Sequence, residues 1–353
     1  MKTKLFYPLL IIAMILSACG PAAVSTTSTS TAPRTLIVMT HDSFSASQSV
    51  ITSFETANNV KLQFLASGDT GTALNKAILA KDNPFADVFY GVDNTFLSRA
   101  LAEGIFIPYQ SPVLAQIPSK YQLDPQDRAL PVDWGDVCVI FDSLYFTQHN
   151  LQPPQNLEDL AKPEYKNMLV VENPATSSPG LAFLLTTIGH FGTEKYLEYW
   201  TSLVANDVTV ENDWSTVFYT DYTISGGDKP IVISYNSDPA FEVLQSTTSE
   251  ITPRTQVIAS DGSCFTQIEF VGILHGTQNL DLAQKWVDFM LSPTFQEDLP
   301  LQMYVFPVNP NAKLDPTLQK YLVIPNNPAY VNPDEIAANR EAWINAWTET
   351  VLK

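Results

Sequence analysis

The sequence predicts an α/β fold of two lobes. Three observations carry it. Residues 35–104 alternate β-α-β-α-β-α, residues 169–235 repeat an α/β alternation, and two long β-rich runs at 130–141 and 264–274 flank that second stretch. Strands that cross between lobes act as a hinge, and a ligand then sits in the cleft between them.

Each element has a local reason. Thr35-Leu36-Ile37-Val38-Met39-Thr40 is rich in β-branched and apolar residues and turns at His41-Asp42-Ser43-Phe44. Val50, Ile51 and Phe54 share one face of a helix over 48–58. A strand at 61–66 leads to Gly68-Asp69-Thr70-Gly71, which opens a helix through Leu74, Ile78 and Leu79. A third strand spans 86–91, and the helix at 94–103 ends at Gly104. The second alternation has strands at 169–171, 208–210 and 231–235. Its helices lie at 180–189, 194–203 and 214–220. Helices at 280–291 and 293–299 follow the second long run. An amphipathic helix at 335–351 carries Ile336, Trp343, Ile344 and Trp347.

The chain has 353 residues, 45% of them hydrophobic, enough for a sizeable core. It carries 19 Lys+Arg against 37 Asp+Glu, a formal net charge of −18. That balance excludes a nucleic-acid binder, which needs a basic footprint, and docking on anionic lipid through a polybasic patch. It suits a cationic ligand and keeps an exported chain soluble.

The first residues read as an export signal. Lys2 and Lys4 precede a run of about a dozen apolar residues from Leu5 to Leu16, too short to span a bilayer. Leu16-Ser17-Ala18-Cys19 ends it and resembles the bacterial lipoprotein box, in which the cysteine is lipidated after cleavage. Residues 1–18 are thus expected to be a lipoprotein signal peptide, and Cys19 the lipid anchor. Residues 19–34, rich in Ser, Thr, Ala and Pro, form a flexible tether. The expected location is extracytoplasmic, held at the cell membrane through that lipid alone. Cys138 and Cys264 remain, and residue type leaves a disulfide and two buried thiols equally open.

The chemistry-bearing groups fall at the ends of elements, where ligands meet open α/β sheets. They are Asp42-Ser43, Asp69, Thr176-Ser177-Ser178 ahead of Pro179-Gly180, Trp214, Tyr235 to Asp238, and Tyr304. Taken singly, Asp69 and Ser177 fit helix caps, and Trp214 and Tyr235 fit core aromatics. Other chemistry lacks its signature: no phosphate loop ending Gly-Lys-Ser/Thr, no zinc spacing of Cys or His, no Gly-x-Ser-x-Gly. No metal and no cofactor are expected.

From Thr35 onward the chain resembles the thiamine-binding proteins of ABC importers, which have the type II periplasmic-binding-protein fold. The residues that carry the resemblance are Asp42-Ser43-Phe44, Ala86-Asp87-Val88, Gly91-Val92-Asp93-Asn94 and Thr176-Ser177-Ser178-Pro179-Gly180-Leu181. Trp214-Ser215, Ser234-Tyr235, Ser237-Asp238-Pro239-Ala240 and Gln267-Ile268-Glu269 continue it. Ser292-Pro293-Thr294-Phe295-Gln296, Phe306-Pro307-Val308 and Arg340 with Ala342-Trp343 and Trp347 close it.

The resemblance implies lobe 1 at 35–132 and 265–305 and lobe 2 at 133–264 and 306–353, with an interlobe ligand cleft. It implies thiamine or a thiamine phosphate as cargo, an ABC permease as partner, and a monomer. Trp214 and Tyr235 would be stacking walls. Asp69 would accept from the aminopyrimidine, and Ser177 would serve the hydroxyl or phosphate end. Asp42, Asp238 and Tyr304 complete the expected ligand-binding set. This chain departs from the family at His41, where a Tyr is usual, at Tyr304, where a Trp is usual, at Phe241 (Tyr) and at Asp136 (an aromatic).

Two other readings remain at this level. One is a binding protein for another cation, iron(III) or a polyamine; a tyrosinate or imidazole site could draw on Tyr235 and His41. The other is a thiaminase I-like enzyme with Cys138 as nucleophile and Glu269 as its carboxylate.

Overall fold

The computed structural model describes residues 32–246 and 252–353. The expected signal peptide, the lipidated Cys19 and most of the tether lie outside the described residues. Among the described residues, no helix is long and apolar enough to cross a membrane.

Among the described residues, eleven strands make one mixed sheet. They are β1 (Arg34–Thr40), β2 (Val60–Ala66), β3 (Val88–Asp93), β4 (Phe106–Ile107), β5 (Leu130–Asp142), β6 (Leu169–Glu172), β7 (Thr209–Glu211), β8 (Ile231–Tyr235), β9 (Thr255–Ile258), β10 (Cys264–Leu274) and β11 (Phe306–Pro307). The main order is β2-β1-β3-β10-β5-β8-β6-β7, with β4 beside β10 and β9 and β11 beside β5. The trio β2-β1-β3 is parallel, and so is β8-β6-β7. Between them run β5 and β10, antiparallel to each other and to their neighbours in the trios. These two long strands are the only parts of the main order that belong to both halves, so a relative motion of the halves must bend them.

The helices are α1 (Gln48–Asn58), α2 (Thr70–Leu79), α3 (Leu97–Ala102), α4 (Ser143–His149), α5 (Ser178–Phe191), α6 (Tyr196–Ala205), α7 (Trp214–Thr216), α8 (Asp238–Gln245), α9 (Leu280–Leu291), α10 (Pro293–Gln296), α11 (Leu299–Met303), α12 (Pro316–Tyr321) and α13 (Pro333–Val351). Helix α5 is buried from Ser178 through Ile188, as its nearly all-apolar sequence demands. Helix α9 buries Leu282, Ala283, Trp286, Val287, Met290 and Leu291, a stripe at helical spacing. Helix α13 is capped by Asn332, has Pro333 in its first turn, and buries Ile336, Arg340, Trp343, Ile344 and Trp347. It packs on both halves: Trp347 meets Trp200 of α6 edge-on at 5.4 Å, and Arg340 lies over the Phe96 ring at 5.6 Å.

Three expected helices change. The helix expected at 94–103 starts at Leu97, because Asp93 draws Thr95 Oγ1 and the Phe96 N–H into a turn first. The one expected at 214–220 is a single α-turn followed by a wider turn over Val217–Asp221. The one expected at 293–299 breaks after Gln296, because Pro300 has no N–H to return to that residue. The short elements α4, α8, α12, β4, β9 and β11 had no periodic signature long enough to read.

Candidate functional site

The carboxyl ends of β1, β2, β3 and β8 face a cleft crossed by β10. It opens to solvent, and its empty space with the adjoining solvent is about 450 Å³. It is lined by His41, Ser43, Asp69, Thr70, Ser178, Pro179, Trp214, Tyr219, Tyr235, Glu269 and the segment Gln302–Val305. The room inside it for water-sized groups is about 30 Å³, tighter than the usual small-molecule site.

One wall is aromatic. Trp214 opens α7, stacks on Phe218 at 4.9 Å and stands edge-on to Tyr235 at 6.2 Å. Its indole N–H donates to Ser234 Oγ at 2.9 Å. The Tyr235 hydroxyl donates to Gln267 Oε1 at 3.1 Å, and the Gln267 amide donates to Ser178 Oγ at 3.0 Å. Tyr304 completes the wall 6.2 Å from Trp214. It holds φ +61°, uncommon for a bulky residue, and its carbonyl accepts from Ser237 Oγ. The rings are thus held by partners behind them.

The opposite floor is acidic. Glu269 lies mid-strand on β10, opposite Asp133 of β5 and Asp93 of β3. The Tyr90 hydroxyl donates to Asp133 Oδ2 at 2.6 Å and lies 3.1 Å from Glu269 Oε2. Burial raises the Glu269 pKa well above the carboxylate range and the Asp133 carboxyl adds to that rise. Asp133 is raised to about 6 and Asp93 to about 7, both by burial first. Burial thus favours the protonated form of each of these carboxyls. His41 Nε2 lies 3.5 Å from Glu269 Oε1, and burial lowers the imidazole pKa to about 4, so the ring is neutral.

The expected site residues divide. Asp69, Trp214, Tyr235 and Tyr304 line the cleft; Asp42, Ser177 and Asp238 do not. Asp42 is exposed outside it. Ser177 is fully buried as the N-cap of α5, its Oγ accepting from the Gly180 N–H at 3.4 Å. Asp238 sits behind the aromatic wall, accepting from the Tyr235 N–H at 3.1 Å. Asp69 is a cap and a bridge. Its Oδ1 accepts from the Thr70 N–H at 2.6 Å and lies 3.5 Å from the Ser178 N–H, and its Oδ2 accepts from the Trp214 N–H at 3.2 Å. Both oxygens thus accept from the backbone while the side chain lines the cleft. The same contact needs Gly71, where a Cβ would lie 2.6 Å from the Ala175 carbonyl oxygen.

The lining residues outside the expected ligand-binding set are His41, Ser43, Thr70, Ser178, Pro179, Tyr219, Glu269, Gln302, Met303 and Val305. Of these, Ser43 and Ser178 stood among the chemistry-bearing groups, His41 as a possible imidazole ligand and Glu269 as an enzyme's carboxylate. Cys138 and Cys264 lie opposite each other in register on β5 and β10 and form a disulfide, both fully buried. Cys138 therefore offers no thiolate to the cleft, which removes the basis of the enzyme reading. Among the described residues no group of three or more His, Cys, Asp or Glu is arranged to hold a metal ion.

The profile of the bacterial extracellular solute-binding proteins matches residues 83–339. The chain belongs to that family. Among its relatives are proteins named thiamine-binding periplasmic protein. The one from Escherichia coli K12 is 29% identical over 346 residues, which cover 96% of this chain and 100% of that one. The one from Brucella suis is 28% identical over 318 residues, covering 89% and 91%. A solved periplasmic thiamin binding protein superposes with a TM-score of 0.79 at 28% identity over 90% of this chain and 96% of its own. A ferric binding protein from Campylobacter jejuni shares the fold, with a TM-score of 0.72 at 19% identity, covering 89% and 99%. This solute-binding protein therefore has the two-lobed type II periplasmic-binding-protein fold: the trios are the cores of its lobes, and β5 and β10 its hinge strands.

Proposed function

We propose that this solute-binding protein captures thiamine or a thiamine phosphate outside the cytoplasm and delivers it to an ABC permease. One observation carries the reading: the relatives covering nearly the whole chain bear thiamine in their names, and this cleft sets an aromatic wall against buried carboxyls. Thiamine joins a cationic thiazolium to a flat aminopyrimidine. A cation over an aromatic face gains about 0.5–2 kcal/mol, and Trp214, Tyr235 and Tyr304 supply such faces. Ser178 and Thr70 offer polar contacts to the hydroxyl or phosphate end. Thiamine here is cargo, and no cofactor or catalytic step enters the reading.

Lobe 1 is assigned to 35–132 and 265–305, and lobe 2 to 133–264 and 306–353. Ligand touching both lobes favours the closed state by its differential affinity. The mature chain begins at a lipidated Cys19, reaches its lobes through the tether to residue 34, and acts as a monomer. Isothermal titration of the folded mature protein is expected to give one site for thiamine or its monophosphate; no heat with either overturns the reading. Cys19→Ser is expected to move the protein from the membrane fraction to the soluble fraction, and retention at the membrane overturns the anchor.

A further inference from the structure

The cleft contains one buried nitrogen without a hydrogen-bond partner, His41 Nε2. The side chain is 5% exposed, and its other nitrogen, Nδ1, is 2.8 Å from Ser43 Oγ. The ring is held in place from behind: Gly91, at φ +110°, leaves the space, and a Cβ there would lie 2.4 Å from His41 Cδ2. Glu269 Oε1 lies 3.5 Å from Nε2, too far for a good hydrogen bond between them. The other oxygen of Glu269 is turned to Tyr90. Both residues line the cleft.

We propose that His41 Nε2 and Glu269 Oε1 form a two-point acceptor for an exocyclic –NH2 group on a flat heteroaromatic ligand. This deepens the thiamine reading and rests on it, placing the 4-amino group of the aminopyrimidine at His41 and Glu269 rather than at Asp69. The chemistry follows from donor and acceptor counts. In the tautomer whose Nδ1–H donates to Ser43 Oγ, Nε2 carries a lone pair. Burial keeps the imidazole neutral, so that lone pair stays available at neutral pH. Glu269 Oε2 faces the Tyr90 hydroxyl, on the side away from His41, which leaves Oε1 to accept. An –NH2 group has two N–H donors, one for each acceptor. A ligand with oxygen at that position presents lone pairs to lone pairs and leaves both buried acceptors unpaired, a costly arrangement. Asp69 already accepts from the Thr70 and Trp214 N–H groups, whereas His41 Nε2 has no hydrogen-bond partner.

The test compares thiamine with the analogue in which oxygen replaces the 4-amino group, by titration of the full mature chain. The wild type is expected to prefer thiamine at least tenfold. His41→Phe keeps a ring in the pocket and removes the nitrogen; it is expected to lower thiamine affinity about tenfold and to abolish the preference while analogue affinity changes little. His41→Gln, which returns an amide oxygen near the Nε2 position, is expected to restore part of the preference. Thermal melting checks that each variant folds. A wild type that binds both compounds equally, or a folded His41→Phe that keeps the full preference, overturns the proposal. A folded wild type that binds neither compound overturns the thiamine reading itself, so the two failures are distinguishable.

Discussion

The aromatic wall of Trp214, Tyr235 and Tyr304 and the acidic floor of His41, Asp133 and Glu269 differ in how completely their polar atoms are partnered. On the wall, the Trp214 indole N–H has Ser234, the Tyr235 hydroxyl has Gln267, and the Tyr304 hydroxyl accepts from Gln245. On the floor, His41 Nε2 and Asp133 Oδ1 have no hydrogen-bond partner, and two carboxyls crowd one Tyr90 hydroxyl. The wall is finished before a ligand arrives, and it supplies faces. The floor is left incomplete, and it supplies acceptors. Stacking tolerates many flat rings, whereas unpaired acceptors discriminate between them.

That contrast can be broken at either side. Trp214→Ala removes the central face and leaves Ser234 without its donor; thiamine affinity is expected to fall about 100-fold by titration, within the cost of deleting a packed aromatic. A loss of less than threefold would show that the wall is only a support.

The buried carboxyls around the cleft, on both sides, are expected to mark the pH dependence of stability. A buried carboxyl whose folded pKa is raised keeps a proton that the unfolded chain has released. Its contribution is present at low pH and is lost as pH rises through the folded value. Asp69 and Asp133 are raised to about 6, and Asp93 and Asp238 to about 7. His41 works the other way, since its folded value of about 4 lies below the unfolded one, but its effect is confined to pH below the ordinary imidazole range. Between pH 6.5 and 8 the carboxyls dominate, so the ligand-free protein is expected to lose about 1–2 kcal/mol as pH rises. A melting temperature that climbs over that interval contradicts the assignment.

Gly91→Ala sharpens the floor from behind. Its Cβ would collide with the His41 ring and strain a backbone at φ +110°. Thiamine affinity is expected to fall about tenfold, together with preference over the oxygen analogue. Asp69→Asn has the smallest expected effect. One amide oxygen replaces two carboxylate oxygens, so the Thr70 or the Trp214 contact is lost at a cost of about 1 kcal/mol. Thermal melting measures the stability loss. Titration should show thiamine still preferred over the oxygen analogue; a lost preference would return the amino group to Asp69.

Most of the architecture was legible because strands and helices such as β1, α5 and α9 carry strong apolar patterns of one period. The breaks at Asp93, Val217 and Pro300 were local events that those patterns average over. The site was legible in part. Trp214, Tyr235 and Tyr304 could be placed because aromatics at the ends of elements point to a cleft once the alternation is known. The cap role of Asp69 was not separable from a ligand role, because a capping aspartate and a ligand-binding aspartate look identical until the N–H groups around them are placed. The departure from tyrosine at His41 was visible, but its pairing with Glu269 depends on which strand of the sheet lies beside which. The Cys138–Cys264 bond hung on the same information, since pairing register is not written in either strand alone.

That disulfide has a topological consequence. It joins residues 126 positions apart, so the polypeptide between them is a closed covalent ring. The ring contains β6, β7 and β8, the whole parallel trio of one half, and its clasp lies on the hinge strands. A ring of that size removes about 5 kcal/mol of disorder from the unfolded chain on the loop-entropy account. It also changes what a single cut does. A protease nick between Cys138 and Cys264 leaves one covalent molecule, which separates into two fragments only after reduction, whereas a nick outside the ring separates them at once.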